Sequence, residues 1–201
     1  MKPPCVILAG GRSSRMGGGD KCLLPLMGKP MLAHVLDRIA PQCGDILINS
    51  NSEPELFSRF GMPVSADVTN GFQGPLAGLL TGLQWASARG ASHLISVACD
   101  TPFLPNDLVA RLSDALTTRD AHIAIATDVD HSHPVIGLWP TALTDRLEAD
   151  LLTGTRAIHR WLWAFRVAEV RFAARHFQNI NTPADLRAAG SARDQMHATS
   201  R

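Results

Sequence analysis

Short apolar runs of strand length alternate with stretches whose apolar residues recur at helical spacing, over most of the 201 residues. That alternation predicts βαβ units, hence an α/β fold: one Rossmann-like domain with a mostly parallel open sheet and helices on both faces. The run from Val6 to Ala9 is partly β-branched and reads as the first strand. Pro30 is placed to start a helix that carries Met31, Leu32, Val35, Leu36 and Ile39, with Pro41 and Gly44 at its end. Residues 45–49 predict a second strand that ends on a polar residue, Asn49. Ser52 and two early acids then open a modest helix closed by Gly61, and a brief strand near 63–65 leads to Asp67. A glycine-rich turn at 71–78 opens a helix carrying Leu79, Leu80, Leu83 and Trp85 and ending at Gly90.

Residues 93–99 have the near-continuous apolar character of a central strand buried on both faces, and they run straight into Asp100. Pro105 starts a helix through Leu108, Val109, Leu112 and Leu116, and residues 121–127 form a further strand. Residues 134–138 read as an antiparallel strand at the sheet edge. Beyond Pro140, Leu143, Leu147, Leu151 and Leu152 share one helix side. A second helix from Thr155 carries Ile158, Trp161 and Leu162, and a late strand lies at 165–170. Thr182-Pro183 opens a last helix. A domain over residues 1–189 is therefore expected, followed by a polar stretch, 190–201, with too little apolar content to pack and expected to be mobile.

The chemistry concentrates just after the first strand, in Leu8-Ala9-Gly10-Gly11-Arg12-Ser13-Ser14-Arg15-Met16-Gly17-Gly18-Gly19-Asp20-Lys21. Glycines let backbone N–H groups turn toward phosphate oxygens, while Arg12, Arg15 and Lys21 supply the charge that a triphosphate attracts. Neither common phosphate loop fits. Lys21 is followed by Cys22 and Lys29 by Pro30, which excludes G-x-x-x-x-G-K-[ST], and no G-x-G-x-x-G can be placed between Gly10 and Gly19. On the predicted topology this loop, Asn49, Asp67 and Asp100 all lie past the carboxyl ends of different strands, which is the ligand crevice of an open α/β sheet. Mg²⁺ prefers one or two carboxylates plus phosphate oxygens, so Asp100 beside a triphosphate has the chemistry to hold that ion.

The pattern L-A-G-G-x-x-x-R-M-G-x-x-D-K followed by Leu23-Leu24-Pro25-Leu26-Met27-Gly28-Lys29-Pro30 resembles the nucleotidyltransferase signature, and in particular the molybdenum cofactor guanylyltransferases. The resemblance continues through Asn49-Ser50-Asn51, Asp67, Gly74-Pro75-Leu76-Ala77-Gly78, Cys99-Asp100-Thr101-Pro102, His133-Pro134 and Asn179-Ile180-Asn181-Thr182-Pro183, and it covers roughly residues 5 to 188. It implies a nucleotide-diphospho-sugar transferase-like fold and Mg²⁺-dependent transfer of GMP from GTP to molybdenum-loaded molybdopterin, with pyrophosphate leaving. By the same resemblance Leu8, Ala9 and Gly10 contact the nucleotide, Arg15 and Lys21 its phosphates, Asn49 and Asp67 the guanosine part, and Asp100 both nucleotide and metal. Asn179 and Asn181 are pterin-side or metal-orienting candidates, by analogy with related sugar nucleotidyltransferases. Proteins that deliver the pterin or receive the product are implied as partners.

Two alternatives stand beside this reading. The sister cytidylyltransferases use CTP and show L-A-A-G where this chain has Leu8-Ala9-Gly10-Gly11, and a methyl group there crowds a purine more than a pyrimidine. A non-catalytic nucleotide-binding domain would lack the metal carboxylate or the phosphate cation, and here Asp100, Lys21 and Arg15 are all present.

Composition narrows the partners. With a formal charge of +1 there is no global field for a nucleic acid backbone, so anion binding must come from local clusters. No apolar run approaches the ~20 residues that cross a bilayer, and residues 1–4 lead into a strand without a signal-peptide core. Cys5, Cys22, Cys43 and Cys99 are scattered singly and read as reduced core residues, which together with the foregoing predicts a cytoplasmic protein. His131 and His133 form an H-x-H pair that lacks a third nearby ligand for zinc. Trp85, Trp139, Trp161 and Trp163 read as packing residues, with Trp139 a minor candidate for stacking on the pterin.

Overall fold

A computed structural model describes residues 2–10, 20–68, 74–182 and 184–187. The loop at 11–19 with Arg12 and Arg15, part of the 71–78 turn, Pro183 and the 190–201 stretch lie outside the described residues. In chain order the elements are β1 (Cys5–Leu8), β2 (Pro25–Leu26), β3 (Lys29–Pro30), α1 (Met31–Ile39), β4 (Ile46–Asn49), β5 (Val64–Ser65) and α2 (Pro75–Ser87). There follow β6 (His93–Ala98), α3 (Leu108–Thr118), β7 (Ile123–Thr127), β8 (Ser132–Pro140), α4 (Thr144–Leu152), α5 (Ile158–Leu162) and β9 (Val167–Arg171).

The main sheet has the order β5-β4-β1-β6-β8-β7-β9. Its neighbours are parallel in four pairs, β5/β4, β4/β1, β1/β6 and β7/β9, and antiparallel where β8 meets β6 and β7. The period-2 alternation of β1 shows how the two layers form. Cys5 and Ile7 pack with Leu32, Val35 and Ile39 of α1 and Leu108 and Leu112 of α3. Val6 points the other way, onto Leu79, Leu80 and Leu83 of α2, in a cluster that extends to Leu147 and Leu151 of α4. Each of these fully buried aliphatic side chains contributes about 1.5–3 kcal/mol relative to exposure, so helices on both faces hold the sheet.

Several expectations need correction. The antiparallel strand near 134–138 is an interior strand, β8, between β6 and β7. The edge placement rested on antiparallel strands of mixed sheets often lying at the edge, and Pro134 lacks the N–H that an interior ladder uses. It sits instead in the irregularity where the β7 register jumps from Gly137 to His133. Interior packing further on needs Gly137, since a Cβ there would stand 2.9 Å from the Ala124 carbonyl oxygen. Leu152 is 72% exposed and does not share the buried side of α4 with Leu147 and Leu151. Residues Pro54–Phe60 form a 3₁₀ rather than an α-helix, closed as expected by Gly61 at φ +64°. The helix expected from Pro105 begins at Leu108. The β2–β3 hairpin was not expected: Met27 at φ +47° and Gly28 at φ +81° make a two-residue turn without the usual Asn-Gly signal.

All four cysteines are free and buried. Among the described residues no helix is long and apolar enough to cross a membrane.

Candidate functional site

The parallel strands β1, β4, β5 and β6 finish on one rim, and backbone bonds tie their ends together. Ala9 N donates to Asn49 O at 2.8 Å, Cys99 N to Leu8 O at 3.1 Å, and Ser50 N to Ser65 O at 3.0 Å. Leu8, Ala9, Gly10, Asn49, Asp67 and Asp100 all lie on this rim or within two residues of it. Of the loop cations, only Lys21 falls among the described residues; Arg12 and Arg15 do not.

Lys21 and Asp100 meet although 79 residues separate them. The Lys21 ammonium donates to Asp100 Oδ2 at 2.8 Å and also to Asn181 Oδ1. Lys21 is only 9% exposed, and a buried cation is stable only when paired in this way. The turn after β6 is fastened to the same late segment, because Ile180 N donates to Asp100 O at 2.9 Å and Thr101 Oγ1 to Asn179 Oδ1 at 3.2 Å. The late segment is itself stiffened by a capping box. Asp185 Oδ2 accepts from the backbone of Asn181 and Thr182, both at 2.8 Å, and Thr182 Oγ1 accepts from Asp185 N at 3.2 Å. Those bonds, the Asn181 one foremost, hold the Asp185 carboxyl below its ordinary value. A carboxylate oxygen and an amide oxygen thus converge on one cation. Such an all-oxygen donor set suits Mg²⁺.

A second cluster lies at the ends of β4 and β5. Asn49 Nδ2 donates to Asp67 Oδ1 at 3.0 Å and to Ser65 O at 3.2 Å. Asn51 Nδ2 donates to Asp67 Oδ2 at 2.9 Å, and Asn51 Oδ1 accepts from Asp67 N at 2.8 Å. Asn51 was not singled out from sequence as a site residue, although the N-S-N spacing puts both amides within reach of one carboxylate. Asp20 was missed too. Its Oδ1 accepts from Ser52 Oγ at 2.6 Å and pins the residue next to Lys21. Gly78 lets α2 lie against β1 and β4, since a Cβ there would stand 2.2 Å from Asn49 Oδ1 and 2.8 Å from Leu8 Cδ2.

Beyond Asn179 lies a cleft of about 600 Å³, lined among others by Asp128, His133, Arg175, Phe177, Gln178 and Asn179. His133 Nε2 donates to Asp128 Oδ2 at 2.9 Å, and its ring stacks on Phe177 with centroids 4.5 Å apart. Asp128 Oδ1 accepts from the backbone of Asp130 and His131, both at 2.8 Å. The His133 hydrogen bond, helped by the two backbone donors, lowers the Asp128 carboxyl to about 2. Asp128, Asp130 and His131 bring ligand-type atoms within 4.8 Å of one another, but both Asp128 oxygens are already engaged in the turn and the dyad. Trp139 is fully buried and donates to Ser96 Oγ at 2.7 Å, so it belongs to the core and is withdrawn as a stacking platform.

The family model for the MobA-like NTP transferase domain matches residues 5–169. The chain is 45% identical over 189 residues to a protein of Rhodopseudomonas palustris (strain BisB5) named molybdenum cofactor guanylyltransferase, covering 91% of this chain and 90% of that one. A protein of the same name from Bradyrhizobium sp. (strain ORS 278) is 44% identical, with 91% and 89% covered. Among solved structures, the molybdopterin-guanine dinucleotide biosynthesis protein A of Archaeoglobus fulgidus superposes with a TM-score of 0.77 at 24% identity, over 96% of this chain and 99% of that one, a likeness of fold.

Proposed function

This chain belongs to the MobA-like NTP transferase family, and from that premise we propose that it transfers GMP from GTP to molybdenum-loaded molybdopterin, forming the guanine dinucleotide and releasing pyrophosphate. One observation carries the reading: Lys21, Asp100 and Asn181, drawn from the two ends and the middle of the chain, share one cation-centred contact on the rim where an open sheet binds its ligand.

In this reading Leu8, Ala9 and Gly10 line the nucleotide. Asn49 and Asp67 face the guanosine part, with Asn51 positioning Asp67. Lys21 and Arg15 bind the triphosphate. Asp100, with the neighbouring Asn181 amide oxygen, would hold Mg²⁺ when it is bound. The metal, when bound, supplies charge neutralisation for the phosphates. The acceptor phosphate is already ionised, so no strong general base is required. Its oxygen bonds to the α-phosphorus as the bond to the bridging oxygen breaks, and pyrophosphate carries the charge away. The protein's contribution is alignment and a fixed cationic environment for that charge. Asn179 and Asn181 lie on the acceptor side. We place the reaction in the cytoplasm, with protein partners that deliver the labile pterin or take up the product.

The test is incubation of the purified protein with molybdenum-loaded molybdopterin, Mg²⁺, and either GTP or CTP. Formation of the guanine dinucleotide and pyrophosphate from GTP is the expected result. Faster turnover of CTP would reassign the protein to the cytidine branch, and no turnover of either would leave it a nucleotide-binding domain.

A further inference from the structure

We propose that His133, held by Asp128, is a binding residue for the acceptor: the cleft it lines receives the pterin, while the acceptor's phosphate reaches toward Lys21 and Asp100. The inference rests on the function proposed above and deepens it on the side where sequence motifs are weakest.

Position comes first. Asn179 lines the cleft and accepts from Thr101, the neighbour of Asp100. Asn181, two residues on, holds Lys21. Two residues of chain span at most ~7 Å, so one short segment is the wall of the cleft at one end and part of the cation site at the other. An acceptor whose phosphate attacks beside Asp100 must leave the rest of its body against that wall. The cleft, at about 600 Å³, falls in the range of ~300–1,000 Å³ typical for small-molecule pockets.

Construction comes second. The Asp128 side chain is 8% exposed and the His133 side chain 17%. A carboxylate so buried, accepting two backbone N–H groups and one ring N–H, is a fixed support rather than a surface acid. It makes Nε2 of His133 the proton-bearing nitrogen toward Asp128, and Phe177 covers one ring face. Nδ1 is left for a ligand, with no partner among the described residues. Preorganisation of this kind fixes a hydrogen-bonding atom at no entropic cost on binding. A pterin presents ring N–H, amino and carbonyl groups in one plane, and the cleft answers with a ring nitrogen, the Gln178 and Asn179 amides and the Arg175 guanidinium. Arg175 has no salt-bridge partner among the described residues and is available to that ligand or its charge.

The experiment measures KM separately for GTP and for molybdenum-loaded molybdopterin in the wild-type protein and in His133→Ala, His133→Gln and Asp128→Asn. Losing one well-oriented hydrogen bond to substrate predicts an acceptor KM raised about tenfold in His133→Ala, with GTP KM and equilibrium GTP binding within about twofold of wild type. His133→Gln, which keeps a polar atom there, should recover part of the loss, and Asp128→Asn should show a smaller rise because the ring keeps a partner but loses its charged anchor. Unchanged acceptor KM in both His133 variants would overturn the proposal. Equal rises in both KM values with a fall in melting temperature would also overturn it, as the mark of a purely structural clamp. If His133→Ala does not fold, His133→Gln carries the decision alone. Wild-type protein that binds GTP but never transfers GMP would instead refute the function on which this rests.

Discussion

Replacing Gly78 by Ala tests whether Asn49 is locked in place. In a helix interior this change ordinarily stabilises by up to ~1 kcal/mol, because alanine has the higher helix propensity. Here the added Cβ would stand 2.2 Å from Asn49 Oδ1, 3.1 Å from Asn49 Cγ and 2.8 Å from Leu8 Cδ2. A terminal amide can often swing away, but this one is 3% exposed and tied through Nδ2 to Asp67 and Ser65. Overpacking costs about 1–3 kcal/mol, and breaking a hydrogen bond to a charged group adds about 1.5–3 kcal/mol. Against a gain near 1 kcal/mol, the sum is a net loss of roughly 1.5–5 kcal/mol, or roughly 3–20 °C in melting temperature for a domain of this size. Because the displaced amide is one of those proposed to face the guanosine, the GTP KM should rise as well. Gly82→Ala is the control. Its Cβ would meet Val6 Cγ1 at 2.7 Å and Leu94 Cδ2 at 2.9 Å, away from Asn49, so it should lower the melting temperature while leaving GTP KM unchanged. Thermal melts and steady-state kinetics on both variants decide the matter. A Gly78→Ala protein that melts at or above wild type with normal GTP KM would refute the reasoning.

Asp100→Ala should abolish Mg²⁺-dependent GMP transfer while circular dichroism stays native, because Lys21 keeps Asn181 as a partner; wild-type turnover would remove Asp100 from the mechanism. Gly10→Ala should leave the melting temperature unchanged, since a Cβ there meets no atom of the described residues within 4 Å, yet raise GTP KM relative to CTP KM in a side-by-side assay. The Asp128 carboxyl lies at about 2 in the fold against an ordinary 3.8. The stability it adds is therefore complete above 3.8 and is lost as pH falls through about 2. The melting-temperature gap between wild type and Asp128→Asn should narrow across that window, and a gap constant with pH would count against the dyad. Burial, helped by Cys43, pushes the Cys5 thiol well up, and the hydrogen bond with Cys22, helped by burial, does the same for Cys99. The native protein should thus react negligibly with a thiol-specific chromogenic disulfide, and all four cysteines should react after unfolding; rapid native labelling would show the core to be open.

Most of the sheet could be read from the sequence because β1, β4 and β6 are buried on both faces and their apolar runs are nearly continuous. The rim followed from topology: parallel strands end on one side, so polar residues just past them converge. The misses have local causes. An antiparallel strand in a mixed sheet looked like an edge strand, and the register jump that seats Pro134 within the sheet cannot be seen in a linear chain, so β8 was placed outside when it lies within. Leu152 carried the apolar identity of α4 without its facing. The β2–β3 hairpin turns on a methionine in the left-handed region, which no propensity favours. Asn51 and Asp20 escaped notice because their importance lies in which oxygen each one ties down. The His133–Asp128 contact depends on a loop closing over five residues, so the sequence showed His133 only in an H-x-H pair and beside Pro134 in a family motif, without its carboxylate partner.

The burial of β8 inside the sheet has a consequence for synthesis. When β6 leaves the ribosome its pairing partner on one side, β1, is already made. The other side stays open until β8 emerges, and 33 residues lie between the end of β6 and the start of β8. At about 5–20 residues per second the nascent chain carries a bare, apolar strand edge for a few seconds. β7 cannot join before β8 does, and β9 completes the order only after that. The second half of the sheet must therefore dock late, as a unit, which makes that interval the period in which this protein most needs a chaperone.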